Sequence, residues 1–324
     1  MKGRKKRIRR GGKKRRRSKN INEACKKFRI YYNNIRGFDS KSDSLSHVLS
    51  SLNPNVVVLN ETHYKGDRKI DIKGYKTFNR NRKHCGGGGI ATAIKAEDAE
   101  HVLKIKEGQD NDEYLITKHS EFLTPINVVN IYGESECRAN KEEIEDRFFR
   151  VLSELKDIED KKEHAIVIGD MNKHVGNLIK GNHSKISIGG RLIRDFLSKD
   201  DYILLNNSSK VSGGPFTRYD PSDPHDDNAK SCLDLVFVSK GLEKHIDKVV
   251  IDKHLHFTAS QPIIDNQRCY PDHYAIICDF TDIPMKSKFP SKKLGKQKMW
   301  NLNKKDGWRR YDELTTAFVT TLKL

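Results

Sequence analysis

The chain has 324 residues, a third of them charged, and a formal net charge of +18 at pH 7. Its length and apolar content suffice for the core of one large domain or two ordinary ones. No apolar run approaches the roughly 20 residues that a membrane-spanning helix needs, and no apolar segment follows the charged N-terminus, so we expect neither a membrane protein nor a secretory signal.

The positive charge is concentrated in an N-terminal tail. Of the chain's 62 lysines and arginines, 13 lie in the first 20 residues, which contain no acid; this leaves 49 basic against 44 acidic residues elsewhere. Such a block repels itself and cannot form a core, so residues 1–24 are predicted to be a disordered basic tail. The tail favours nuclear localisation or nucleic-acid binding. The alternatives are a cytoplasmic protein whose tail only aids solubility, or a wrongly assigned start.

The six cysteines are widely separated, at positions 25, 85, 137, 232, 269 and 278. None forms a Cys-x2-Cys pair, so a structural zinc site is not expected. Without a secretory signal, we expect the thiols to be reduced.

Short apolar strands alternate with helices from Phe28 to Phe280. Nine strands are predicted, at residues 28–33, 56–62, 86–95, 113–119, 126–133, 165–169, 202–207, 232–239 and 274–280. One helix is predicted in SDSLSHVLSSL, with a stop at Asn53-Pro54. A second is KEEIEDRFFRVLSELKDIED, whose apolar residues recur at spacings of three and four, and a third surrounds GGRLIRDFLSKD. The glycines at 86–89 favour a tight start to a strand, with a phosphate cradle as the alternative.

Polar residues recur where these strands begin or end. They are Asn34, Glu61, Tyr132, Asp170, Asn172, Asp234, Asp272 and His273. Any one of them could be a turn or cap residue, but ligand sites of layered α/β folds lie at strand ends, so the set could converge. Carboxylates and amides without a cysteine favour Mg²⁺ or Mn²⁺. Since no nucleophile elbow or phosphate-binding loop motif is present, metal-assisted phosphoester hydrolysis remains as the reaction class.

Seven segments resemble the endonuclease/exonuclease/phosphatase superfamily in their order along the chain. They are YNNIRGF, VVVLNET, CGGGGIATAI, VVNIYG, IVIGDMN, SCLDLVFV and YPDHYAI, within residues 28–281. The NxRG opening and the segment WNLNKKDGWRRYDELTTAF are most similar to the apurinic-endonuclease-like domains of non-LTR (LINE-type) retrotransposons. The resemblance implies an α/β four-layer sandwich of the deoxyribonuclease I-like type at residues 25–283, in which two packed mixed or antiparallel β-sheets are flanked by helices. It also implies that residues 284–324 are a basic linker and short helix leading toward an absent reverse-transcriptase region.

The resemblance implies a role for each motif residue. Glu61 would be the principal metal carboxylate, helped by Asn34 and Asp272. Asp170 would activate the attacking water. The scissile phosphate would be bound by Asn172 and Tyr132, and His273, oriented by Asp234, would stabilise its developing charge.

Four further residues are candidate substrate contacts: Arg36, Ser231, Thr217 and Arg218. Thr217 and Arg218 lie in a loop whose aromatic and basic groups suit DNA contact, although an ordinary surface loop can have the same composition. Arg36 occupies a position that is acidic in repair-type apurinic endonucleases, which favours the retrotransposon-like branch. Pro271 stands where a serine commonly precedes Asp-His, and it removes a backbone N–H beside that pair.

The sequence as a whole predicts a monomeric, Mg²⁺- or Mn²⁺-dependent DNA endonuclease. It would nick one strand and leave a 3′ hydroxyl for target-primed reverse transcription, with a reverse-transcriptase domain in a parent polyprotein as its partner. Two alternatives remain open. One is a phosphomonoesterase or phosphoinositide phosphatase of the same superfamily, and the other is a catalytically inactive remnant that binds nucleic acid.

Overall fold

The computed structural model describes residues 25–83, 87–109, 112–133, 141–179, 186–199, 201–221, 230–260 and 271–286. The predicted basic tail and nearly all of the predicted linker and C-terminal helix lie outside these ranges. The chain divides into two units after Met285, and the elements with a described structure belong to the first. No helix in the described ranges is long and apolar enough to cross a membrane.

The described residues form thirteen strands in two sheets and three α-helices. The strands are β1 Cys25–Asn34, β2 Val56–Asn60, β3 Tyr75–Arg80, β4 Ile90–Lys95, β5 Val102–Glu107, β6 Glu113–His119, β7 Ile126–Tyr132, β8 His164–Asp170, β9 Tyr202–Leu204, β10 Val211–Ser212, β11 Asp234–Ser239, β12 Ile246–Ile251 and β13 Ile276–Pro284. The helices are α1 Ser42–Leu52, α2 Lys141–Asp160 and α3 Ile188–Lys199. Sheet 1 has the order β10-β12-β13-β1-β2-β4-β3, and sheet 2 the order β5-β6-β7-β8-β11-β9.

Apolar side chains stack these elements into four layers. The alternation of side chains along a strand is visible in β1, where Tyr32 belongs to the core between the sheets and Tyr31 to the cluster under α1. The inter-sheet core also contains Val58, Val128, Ile168, Val236 and Ile276. The outer face of sheet 2 is covered by α2 and α3 through Phe148, Val151, Leu155, Ile193 and Phe196. The predicted four-layer sandwich is confirmed.

The helix predictions hold to within a residue or two. In α1 the stop falls where it was predicted, because Asn53 turns left-handed with φ +47° and its N–H donates to the carbonyl of Leu49 at 2.8 Å. The observed α2 spans the predicted segment. Its buried residues are Ile144, Phe148, Val151, Leu155 and Ile158, which recur at spacings of three and four.

Four strands were not predicted, namely β3, β5, β10 and β12. Three of them form sheet edges, where one side of the strand faces no neighbour and fewer side chains need to be apolar. In β5 only Val102 is buried. In β12 the charged residues Asp247 and Lys248 interrupt the apolar run. The predicted strand at 202–207 is shorter than expected, since residues 205–207 form a 3-10 turn.

Strand direction brings five polar residues to one end of the sandwich. In sheet 1, the parallel strands β1 and β2 end with Asn34 opposite Asn60. In sheet 2, the parallel strands β7 and β8 end with Tyr132 opposite Asp170, and β11 begins with Asp234 opposite Asp170. The two sheets therefore face each other with functional groups along the same edge.

Candidate active site

Glu61 follows β2 directly, in a left-handed backbone conformation with φ +52°. Its Oε1 accepts hydrogen bonds from the Tyr132 hydroxyl at 2.9 Å and the Asn34 amide at 3.1 Å, and its Oε2 lies 3.3 Å from Nε2 of His63. Burial raises the pKa of this carboxyl, but the hydrogen bonds from these three neighbours outweigh burial and lower the pKa to about 2. Glu61 is therefore a fixed negative charge near neutral pH.

The segment after β2 is held by the glycine-rich start of β4. The N–H of Thr62 donates to the carbonyl of Gly89 at 3.0 Å, and that of His63 to Gly88 at 2.9 Å. Gly89 has φ +82°, and a Cβ there would lie 2.7 Å from the Thr62 hydroxyl oxygen, so a glycine is required. The described glycines thus build the start of a strand; Gly86 lies outside the described residues.

Asp170 and Asn172 form a second corner of the site, at the end of β8. Asp170 is 1% exposed. Its Oδ1 accepts the backbone N–H of Asn172 at 2.9 Å, and its Oδ2 accepts Asn34 Nδ2 at 3.0 Å and Asn172 Nδ2 at 3.2 Å. Burial, and then the nearby Asp234 carboxylate, raise the pKa of Asp170 to about 7. A carboxyl with such a pKa is suited to accept a proton from water at neutral pH.

His273 and Asp234 form a buried pair beside Asp170. The two residues are joined by Nδ1 and Oδ2 at 2.8 Å, and the hydroxyl of Tyr32 donates to Asp234 Oδ1 at 2.5 Å. Burial alone would lower the pKa of His273. The negative charge and hydrogen bond of Asp234, and then the charge of Asp170, have the larger combined effect and raise the pKa to about 9. Because the imidazole is charged, both its nitrogens carry protons, and Nε2 lies 3.9 Å from Asp170 Oδ2. The ring can therefore donate to an anionic oxygen bound between them.

The donors at this end of the sandwich fit a hard divalent cation. Carboxylate and amide oxygens are its preferred ligands. Such an ion would also compensate the negative charge of three neighbouring carboxylates, Glu61, Asp170 and Asp234. Ligand atoms of Asp170, Asp234 and His273 also lie within 4.8 Å of one another. The carboxylate of Asp234 already accepts hydrogen bonds from Tyr32 and His273. The side chain of Glu61 is one-fifth exposed, so an ion can reach the cluster more easily on the Glu61 side.

Asn34 and Asp272, the other predicted metal ligands, both contact neighbouring side chains in this structure. The Asn34 amide presents Nδ2 to both Glu61 and Asp170, so here it joins the two carboxylates; its Oδ1 accepts the N–H of Arg36 at 3.3 Å. The Asp272 carboxylate pairs with Arg36 at 3.4 Å, at the rim, where the arginine side chain is 60% exposed. The structure thus joins Asp272 to Arg36 rather than to Glu61.

Thr217 was predicted to contact substrate, and the structure places it behind the site instead. It is fully buried, and its hydroxyl oxygen accepts the backbone N–H groups of Leu233 at 3.1 Å and Asp234 at 3.0 Å. The residue fixes the start of β11 and has no exposed surface to offer to DNA. Composition had suggested a surface loop, but burial of one loop residue leaves no compositional trace.

Arg218 and Ser231, the other predicted contacts in this region, face each other across a short backbone pairing. The N–H of Arg218 donates to the carbonyl of Ser231 at 2.9 Å, and Arg218 also pairs with His273. Both are partly exposed beside the His273 imidazole. Pro271 is buried two residues before His273, and it does not prevent His273 from contacting Asp234.

A buried polar layer, which was not predicted from the sequence, supports the site from below. The Oδ1 of Asn60 accepts the backbone N–H of Asp170 at 2.8 Å and lies 3.1 Å from the Tyr32 hydroxyl. Its Nδ2 donates to Asn130 Oδ1 at 2.6 Å. Asn60 therefore ties sheet 1 to sheet 2 directly beneath the carboxylates. The available signal was a polar residue inside each of the apolar runs VVVLN and VVNIY.

Comparison with known proteins gives a consistent result. The profile described as the Endonuclease/Exonuclease/phosphatase family matches residues 30–261. The crystal structure of the AP endonuclease LMAP from Leishmania major has a TM-score of 0.58 at 14% identity, over 78% of this chain and 87% of that chain. The endonuclease domain of TRAS1, a telomere-specific non-LTR retrotransposon, has a TM-score of 0.54 at 17% identity, over 81% and 100%.

A third similar structure is the 3′ phosphatase NExo from Neisseria bound to product DNA hairpin. Its TM-score is 0.59 at 16% identity, over 78% of this chain and 99% of that chain. No curated protein matches the sequence. At these identities the likeness to solved structures shows the fold, and together with the profile match it confirms the resemblance seen in the motifs.

Proposed function

The chain belongs to the endonuclease/exonuclease/phosphatase family, and from this premise we propose that it is a metal-dependent endonuclease that nicks one strand of DNA. The nick would leave a 3′ hydroxyl usable for target-primed reverse transcription. The observation that carries the proposal is the convergence of three groups at one end of the sandwich. Asn34 joins Glu61 to Asp170 by hydrogen bonds, and the hydrogen-bonded Asp234–His273 pair brings Nε2 of His273 to 3.9 Å from Asp170. DNA is favoured as substrate by the basic charge of the chain and by the DNA-processing enzymes that share the fold.

The proposed ion is Mg²⁺ or Mn²⁺, held on the Glu61 side of the cluster with Asn34 and Asp272 as the further oxygen donors. When bound, it supplies positive charge that polarises the phosphoryl oxygen and steadies the leaving 3′ oxygen. In the present geometry the Asn34 amide would turn to offer its oxygen.

Side chains of the protein take the remaining catalytic roles. Asp170 accepts a proton from the attacking water. Burial raises the pKa of Tyr132 far above its usual value, so the phenol keeps its proton. Its hydroxyl donates here to Glu61 and would turn from it to donate to a phosphate oxygen. The Nδ2 group of Asn172 donates to Gly133 at 2.8 Å and to Asp170 at 3.2 Å, so it would give up the longer bond to act as a second donor to the phosphate. The His273 imidazolium stabilises the negative charge that develops.

The experiment is nicking of supercoiled plasmid by the full chain in Mg²⁺ or in EDTA, beside Glu61→Gln. The matched control is Glu100→Gln, at a glutamate whose side chain is 77% exposed. We expect EDTA to abolish nicking and Glu61→Gln to slow it at least about 100-fold, with the control unchanged. The nick should prime a DNA polymerase directly, because its 3′ end carries a hydroxyl.

Two outcomes would refute the proposal in different ways. Release of phosphate from a soluble monoester with the plasmid intact would identify a phosphatase. Salt-sensitive DNA binding without any turnover would identify a binding remnant. A monomeric state, nuclear localisation and a reverse-transcriptase region in a parent polyprotein belong to the same proposal. The basic tail supports the nuclear location, and the motif similarity to retrotransposon domains supports the polyprotein.

A further inference from the structure

The imidazole of His63 lies against the principal metal carboxylate and has no part in the proposed catalytic roles. Nε2 of His63 is 3.3 Å from Glu61 Oε2. The other oxygen, Oε1, is taken by Tyr132 and Asn34, so Oε2 and Nε2 face each other as a separate pair. The His63 side chain is 36% exposed, which leaves room for water or substrate beside it.

The separation of the two atoms also brings them near the spacing of two ligands of one ion. Ligand atoms about 2.1 Å from an ion and at right angles to each other lie about 3 Å apart. A charge-assisted N–H···O⁻ bond is usually shorter, at about 2.7–2.9 Å. The observed 3.3 Å makes a long hydrogen bond, and a shift of about 0.3 Å would bring the two atoms to the ligand–ligand distance.

The backbone holds both side chains on the same side. Glu61 and His63 are both left-handed, with φ +52° and +60°, and the intervening turn is tied to the carbonyls of Gly88 and Gly89. The opposite ring nitrogen, Nδ1, faces the loop after β1, since a Cβ on Gly37 would lie 3.5 Å from it. Nε2 is thus the nitrogen available to an ion on the Glu61 side.

We propose that His63 Nε2 is a ligand of the same divalent ion as Glu61. The inference rests on the proposed metal-dependent function and deepens it. A nitrogen in an otherwise all-oxygen set matters for metal choice, because Mg²⁺ is bound almost entirely through oxygen whereas first-row transition ions accept imidazole readily. This site therefore binds Mn²⁺ in preference to Mg²⁺.

The test uses the full chain loaded with Mn²⁺ alone and does not depend on turnover. Pulsed electron paramagnetic resonance detects ¹⁴N coupled directly to Mn²⁺, and titration calorimetry gives the affinity. His63→Asn is the test variant, because asparagine tolerates the left-handed conformation and has no imidazole. His47→Asn on α1, an exposed histidine away from the site, is the matched control.

The wild type and His47→Asn are expected to show the nitrogen coupling, and His63→Asn to lose it. His63→Asn should also weaken Mn²⁺ binding at least about tenfold while changing Mg²⁺ binding less. Bound Mn²⁺ without nitrogen coupling, or a coupling that survives His63→Asn, would overturn the inference and leave the proposed metal-dependent activity standing. A wild type that binds no Mn²⁺ would overturn it together with the proposed function.

Discussion

Thr217 offers a sharp test of how the site is built, because its hydroxyl serves as the acceptor for two buried backbone N–H groups. These belong to Leu233 and Asp234, at 3.1 and 3.0 Å. Thr217→Val nearly keeps the shape of the side chain and removes the hydroxyl that accepts both hydrogen bonds. Thr217→Ser does the opposite, since it keeps the oxygen and removes a methyl group.

The expected magnitudes follow from these contacts. A buried donor without a partner costs about 1–3 kcal/mol, so two such donors, partly relieved by relaxation of the loop, should lower the free energy of unfolding by about 2–4 kcal/mol in Thr217→Val. Thr217→Ser loses one buried methyl group, which costs about 1 kcal/mol. Thr217→Val should also slow nicking through kcat, because Asp234, which orients His273, sits on the strand end that shifts.

Urea unfolding of the full chain and both variants measures the effect, provided that the m-values agree. If Thr217→Val stays within about 0.5 kcal/mol of the wild type while its KM for plasmid rises, the hydroxyl contacts substrate and does not position Asp234. The order valine, serine, wild type in rising stability would support the positioning role.

Two further substitutions probe the buried and the exposed parts of the site. Tyr32→Phe removes a donor to the buried Asp234 carboxylate and should lower the free energy of unfolding in urea by about 1.5–3 kcal/mol; a change under about 0.5 kcal/mol would show that the contact contributes little. Arg36→Gln should change the free energy of unfolding by less than about 0.5 kcal/mol, because Arg36 is 60% exposed where it pairs with Asp272. If the guanidinium contacts a phosphate, the same variant reduces the salt-dependence slope of DNA binding by about one, and an unchanged slope would refute that contact.

The sequence indicated which polar residues lie at strand ends, for a physical reason. An apolar run marks a buried strand, and the polar residue that ends it marks the edge where the strand leaves the core. Glu61, Tyr132 and Asp170 are each found in this way. In the structure Tyr132 bonds directly to Glu61, and Asn34 joins Glu61 to Asp170.

The residues that sequence reasoning missed are those whose role depends on a partner far along the chain. Asn60 looks like the last residue of a strand, and only the packing of the two sheets turns its amide toward Asp170, 110 positions away. Tyr32 looks like an ordinary core aromatic, yet its hydroxyl reaches Asp234. The edge strands β3, β5 and β10 escaped detection because only one of their side chains, that of Val102, is buried, which leaves no apolar periodicity to read.

The pairing of β1 with β13 governs when a nascent chain can become active. These strands are neighbours inside sheet 1, yet they come from opposite ends of the described domain, with Cys25 opposite Pro284. Contacts of such high sequence separation form late and slow folding. Because β13 lies between β12 and β1, sheet 1 cannot be completed until β13 has left the ribosome. His273 lies just ahead of β13 in the chain and reaches its place at the same stage. A partly synthesised chain therefore carries Glu61 and Asp170 without a completed site, so the proposed cleavage requires translation of the whole domain.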